Sequence, residues 1–147
     1  MENEVGFKTD LITRLKTSCD RIWCVIKPLE FWSKILNQLI VVPPWFESKE
    51  PDLSEDSVLF ETDLASVPRI PFIYEAWGNR AHREAVLHDY LYRKDSVPIV
   101  TFSQANRVFL EALKSTKKPF YICYGMYFGV VLCGYSSYHK KYVKDSL

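Results

Sequence analysis

The stretch FYICYGMYFGVVLCGYSSY, residues 120–138, runs nineteen residues without a charge, between Lys117-Lys118 and His139-Lys140-Lys141. Its reading decides the fold: a bilayer span makes this a membrane protein, whereas a packed helix makes it a soluble domain. The length suffices for a span. The composition argues against one, because five of the nineteen residues are Tyr, three are Gly and two are Ser, and tyrosine favours the membrane interface over the hydrocarbon centre. Tyr121, Tyr124, Phe128, Val131, Tyr135, Tyr138 and Tyr142 recur at three-and-four spacing. That spacing predicts an aromatic seam packed on protein. Gly125, Gly129 and Cys133 make a second stripe of small residues that permits close helix approach. We read residues 120–139 as a core helix, with membrane contact the lesser expectation.

Two helices are expected before it. Thr101 or Ser103 can cap a helix over 102–115, in which Phe102, Ala105, Phe109, Ala112 and Leu113 give an amphipathic stripe. Lys114, Lys117 and Lys118 suit the negative end of its dipole, and Pro119 stops it. Asn79 is read as the N-cap of a helix over 80–93. Ala81, Ala85, His88 and Tyr92 share one face of that helix, so His88 is expected to point inward, and Asp89 and Arg93 stand four apart, as an ion pair requires.

The N-terminal half reads as strands. Arg21–Lys27 alternates loosely, Leu39–Val42 is a β-branched run stopped by Pro43-Pro44, and Phe31-Trp32 between them is a further strand or a bend. Val58–Phe60 is expected as one more short strand, after an acidic insertion loop at 47–57. Strands over about 7–62 and helices over 80–93, 102–115 and 120–139 predict one α+β domain, 1–147, with a small antiparallel sheet packed against three helices.

Composition agrees. The chain has 147 residues, 48% of them hydrophobic and 25% charged, which excludes a disordered, collagenous or coiled-coil chain. The net charge of +1 hides −5 on residues 1–79 and +6 on residues 80–147. The halves attract, and the total is too neutral for nucleic acid to be the expected partner. Cys19, Cys24, Cys123 and Cys133 show no metal-knuckle or redox spacing, and the first residues lack a secretory signal, so free thiols in a reducing cytoplasm are expected.

The chemistry is thinly supplied. There are three histidines, and no HExxH, P-loop, GxGxxG or GxSxG, so no cofactor is expected. What remains is Asp63, Ser66 and Arg69 after the last strand, with His88, Asp89, Tyr92 and Arg93 on the first helix. A histidine oriented by a carboxylate can serve as general base. Adjacent helical residues diverge by about 100°, so Asp63 is the better orienter of His88, and a divalent cation could bind at Asp63 and Asp89. In the alternative reading, Ser66, Arg69, Tyr92 and Arg93 help lock sheet to helix. The string His88–Tyr92 is similar to the HDxCY motif of secreted phospholipases A2, without their calcium loop or flanking cysteines, so lipid hydrolysis is a minor alternative.

VPPWF…FETDLASVPR, then AVLHDYLYR, then ANRVFLEAL, resembles a bacteriophage- and prophage-associated family known only as a domain of unknown function. The resemblance covers roughly residues 21–138. Its matched positions are Asp63, Ala65, Ser66, Pro68, His88, Asp89 and Tyr92. Asn106 stands where that family usually has an aspartate, the arginine that usually opens that helix is not evident, and Ser48–Ser57 looks like an insertion. The resemblance implies a phage or integrated-phage origin and a small α+β domain, and it supplies no activity. With no complete catalytic set in the sequence, the expected role is that of a non-enzymatic phage accessory protein in the host cytoplasm or the virion. It would act on a host or virion protein through anchors such as Trp45, Trp77 or Tyr138. The alternative is a small hydrolase-like enzyme acting on an envelope polymer or lipid through Asp63, His88 and Asp89.

Overall fold

The computed structural model describes residues 4–15, 23–44, 61–62, 81–143 and 145. Within them the β half consists of β1 (Gly6–Phe7), β2 (Thr13–Leu15), β3 (Trp23–Val25), β4 (Leu29–Ser33), β5 (Gln38–Val42) and β6 (Glu61–Thr62). The helical half consists of α1 (His82–Leu91), α2 (Phe102–Ser115) and α3 (Phe120–Cys133), followed by a 3₁₀ turn at Gly134–Ser136. The protein is α+β, as expected. The β half is divided between two antiparallel three-stranded sheets, in the orders β1-β4-β5 and β2-β3-β6.

The hairpin β4–β5 pairs Leu29 with Val42, Phe31 with Ile40 and Ser33 with Gln38. Period-two alternation sends Leu29, Phe31, Ile40 and Val42 inward, while Leu39 and Val41 stay outside, as a sheet covered on one face requires. The turn is closed by Asn37 in the left-handed region (φ 54°), a conformation asparagine tolerates better than most residues. Glu111 of α2 fastens the same turn. Its carboxylate accepts from the Ser33 hydroxyl at 2.6 Å and from the Lys34 and Ile35 amides at 3.0 and 3.3 Å.

The covered face packs on Val86, Leu87 and Leu91 of α1 and on Ala105, Val108 and Ala112 of α2. On its other side, α2 contributes Phe109 and Leu113 to a second core with Ile122, Cys123, Met126 and Val130 of α3. Thus α2 is the shared element of both cores. Its boundaries are the expected ones, and Thr101 and Gln104 form a reciprocal capping box.

The other two helices are shorter than expected. α1 begins at His82 after Ala81, without a side-chain cap, and Asn79 lies outside the described residues. α3 ends at Cys133 instead of continuing to 139, and Gly134 begins the tighter turn. The face α3 buries is also not the aromatic one. Ile122, Cys123, Met126, Gly129 and Val130 point inward, whereas Tyr121, Phe128 and Tyr135 are exposed. Small and flexible side chains let α3 approach α2 closely, which a row of rings would prevent. Among the described residues no helix is long and apolar enough to cross a membrane.

Trp23–Val25, Leu29–Ser33 and Gln38–Val42 fall in the stretches read as strands. The acidic loop 47–57 and the strand expected at Val58–Phe60 lie outside the described residues.

Candidate functional site

Because α-helical residues four apart share a face, His88 of α1 and Tyr92, the helical residue that caps its C-terminal end, point together at α2. Asn106 meets them there. Its side-chain oxygen accepts from the Tyr92 hydroxyl at 2.7 Å and lies 2.9 Å from His88 Nε2. With that oxygen facing both partners, Nε2 must carry the imidazole proton, so the carboxamide fixes the tautomer. His88 Nδ1 and Asn106 Nδ2 are buried and have no hydrogen-bond partner among the described residues. His88 is 2% exposed and Asn106 1%. The imidazole lies between Tyr92 and Phe109, with ring centroids 4.1 and 4.7 Å away.

Burial governs the electrostatics. Loss of hydration lowers the His88 pKa to about 4, against a smaller raising effect from the Asn106 hydrogen bond. The imidazole is therefore neutral at pH 7. Desolvation likewise pushes the Tyr92 hydroxyl well above its ordinary value, with the Asn106 bond opposing. The cluster thus holds neutral donors and acceptors.

The surroundings hold these groups in place. Phe102 and Tyr138 pack edge-on or tilted about the Tyr92 ring at 5.9 and 5.6 Å. The Tyr138 hydroxyl donates to the Val100 carbonyl at 2.6 Å, so Tyr138 is a half-buried core residue and not the exposed anchor expected of it. The backbone after the last helix returns to α1. The His139 amide donates to the Tyr92 carbonyl at 2.8 Å, and the Lys94 amide to the Lys141 carbonyl at 2.9 Å.

Of the residues singled out in the sequence, the structure brings His88 and Tyr92 together. Asp89, the next residue, is half-buried on an adjacent face of α1. Arg93 is buried, and its guanidinium donates to the Tyr142 carbonyl at 3.3 Å. Asp63, Ser66, Arg69, Trp45 and Trp77 lie outside the described residues. The hub, Asn106, stood out in the sequence only as a departure from a family pattern. A local signal was available: Asn106 falls on the same stripe as Phe102, Ala105 and Phe109, where an amide needs a partner across the helix interface.

Among the described residues, no group of three or more His, Cys, Asp or Glu side chains could hold a metal ion. An open groove of about 460 Å³ lies elsewhere, lined by Val5, Ile35, Arg107, Leu110, Glu111 and Lys114 among others, and includes none of the cluster.

Residues 23–130 match the model of a family described as proteins of unknown function, DUF1353. The chain belongs to the DUF1353 family. The match runs from β3 into α3, so it contains the α3-side core, all but Val143 of the buried residues of the sheet-side core, and the His88–Tyr92–Asn106 cluster. No curated protein and no solved structure matches the chain.

Proposed function

We propose that this DUF1353 protein is a phage- or prophage-encoded accessory protein that acts by binding a host or virion protein, in the host cytoplasm or in the particle. The observation that carries this reading is the sealed state of the cluster. Asn106 takes hydrogen bonds from both Tyr92 and His88 inside the core, so these residues serve as a polar clamp between α1 and α2. His88, the histidine expected to act as base, is then engaged in folding, and function falls to the surface.

One observation favours the hydrolase-like alternative, namely the unpartnered His88 Nδ1. A histidine whose Nε2–H is held by an amide presents Nδ1 as a base. In that reading Asp63 and Asp89 supply the carboxylates or hold a divalent cation, and the substrate is an envelope polymer or lipid.

His88→Ala separates the two. On the binding reading it lowers thermal stability by the ~1–3 kcal/mol expected when a buried polar group loses its partner. Association with purified virions, or with a defined host protein, survives wherever the variant remains folded. Turnover of envelope polymer or ester by the parent chain, abolished in a folded His88→Ala variant, sinks the binding reading. Asn106→Asp sharpens the comparison, since a carboxylate beside His88 strengthens it as a base and raises any turnover that exists.

A further inference from the structure

We propose that the outer face of α3 is a lipid-contacting surface that lays the protein flat on an anionic membrane without spanning it. At about 100° per residue, Phe120, Val131, Tyr124, Phe128, Tyr121 and Leu132 fall in that angular order along one continuous arc of the helix. The face that packs on α2 lies directly opposite. Phe120, Tyr121, Phe128 and Leu132 are 56–80% exposed, and Tyr135 in the following turn continues the patch. A contiguous apolar surface of this kind marks an interaction site, unlike singly scattered hydrophobic residues.

The charges around the face say what covers it. Between Glu111 and Asp145 the chain contains six lysines and no acidic residue. Lys118 is neutralised by buried Glu84, and Lys114 donates to the Tyr124 hydroxyl at 2.9 Å. Lys117 is exposed just before the helix and Lys140 just after the turn that ends it. The apolar face is therefore flanked along the chain by exposed lysine on both sides, and Lys114 sets a further ammonium 4.8 Å from the Tyr124 ring at its border.

A second copy of the chain fits poorly. Whether two α3 helices docked parallel or antiparallel, lysine would meet lysine at both ends, which opposes association. An anionic lipid surface satisfies both ends at once, because the ammonium groups reach headgroups while the rings enter the acyl boundary. Phenylalanine and tyrosine suit that depth. The fourteen residues of α3 span about 21 Å, short of the ~30 Å hydrocarbon core, so the helix lies on the membrane. The inference goes beyond the protein-binding reading and stands independently of it.

The test is sedimentation of the full chain with vesicles of phosphatidylcholine alone and of equimolar phosphatidylcholine and phosphatidylglycerol. Binding is expected to the anionic vesicles, at least tenfold weaker to the neutral ones, and reduced when salt rises from ~0.15 M to ~1 M. Phe128→Ser/Leu132→Ser should lose at least tenfold in binding, and Lys117→Gln and Lys140→Gln about fivefold each. The lysine variants keep the test decisive if the apolar pair folds poorly. Failure of the parent chain to bind anionic vesicles overturns the proposal, as does equal binding to both vesicle types or indifference to all four substitutions. A lipid-independent dimer dispersed by Phe128→Ser/Leu132→Ser would also overturn it, by showing that a second copy covers the face.

Discussion

At the scale of single residues, the chain commits a histidine, a tyrosine and an asparagine to one buried polar contact. Burial sets the pH response. The His88 pKa of about 4 lies below the ordinary 6.5, so the folded state binds fewer protons than the unfolded state between those values. Stability from this group is fully present above the unfolded value and is lost as pH falls from 6.5 through 4. The loss is about 3 kcal/mol. Urea unfolding of the parent chain and of His88→Gln at pH 7 and pH 4 should differ by that order, with the variant less sensitive to acid. Tyr92→Phe should cost about 0.5–1.5 kcal/mol in the same measurement, since Asn106 keeps His88 as a partner. These two side chains were legible in the sequence as inward-pointing from their spacing on α1. Their partner was not, because nothing local says which residue of another helix an inward imidazole will meet.

At the scale of elements, the ends of the helices explain which boundaries could be read. Thr101 and Gln104 satisfy each other's backbone groups, and Pro119 forbids continuation beyond the Lys117 turn, so α2 occupies 102–115 as its local chemistry dictates. Thr101→Ala should lower the melting temperature by an amount corresponding to ~1 kcal/mol. α3 stops earlier than its uncharged run suggests, at a glycine with a packing role. A Cβ on Gly134 would lie 2.5 Å from the Tyr92 hydroxyl, and that hydroxyl is held by Asn106. Gly134→Ala should therefore displace the ring and strain the polar clamp, destabilising the fold by ~1–3 kcal/mol. Loss of the Tyr92–His88 ring contact in NMR spectra would report it. Apolar periodicity identified α3 as a helix but gave it two apolar faces, and spacing alone does not say which of the two enters the core.

At the scale of the whole molecule, α2 joins the sheet-side core to the α3-side core, and a buried charged contact closes the second one. Glu84 on α1 accepts from the Thr116 hydroxyl at 2.6 Å and from Lys118 Nζ, so the start of α1 is tied to the link between α2 and α3. Lys118→Met leaves the Glu84 carboxylate buried without its countercharge and should destabilise the protein by about 3–5 kcal/mol. Adding Glu84→Leu should recover much of that loss, and chemical denaturation of the single and double variants measures both. The acidic first half and basic second half fit one molecule whose parts attract. The ion pair inside the core, however, joins two residues of the basic half, which no tally of charge by halves reveals.

What the sequence determined by itself is what short-range chemistry controls. It set the α+β class, the capping and stop of α2, the alternation that sends Leu29, Phe31, Ile40 and Val42 inward, and the inward face of His88. These follow from backbone preference and periodicity over a few residues. Only the tertiary structure decided that Asn106 unites His88 with Tyr92, that Gly134 makes room for the Tyr92 ring, and that α3 turns its aromatic face outward. Each depends on which surfaces meet across the chain. Close packing at 129 and 123 favoured the smaller face of α3 against α2, and the rings were left to the outside.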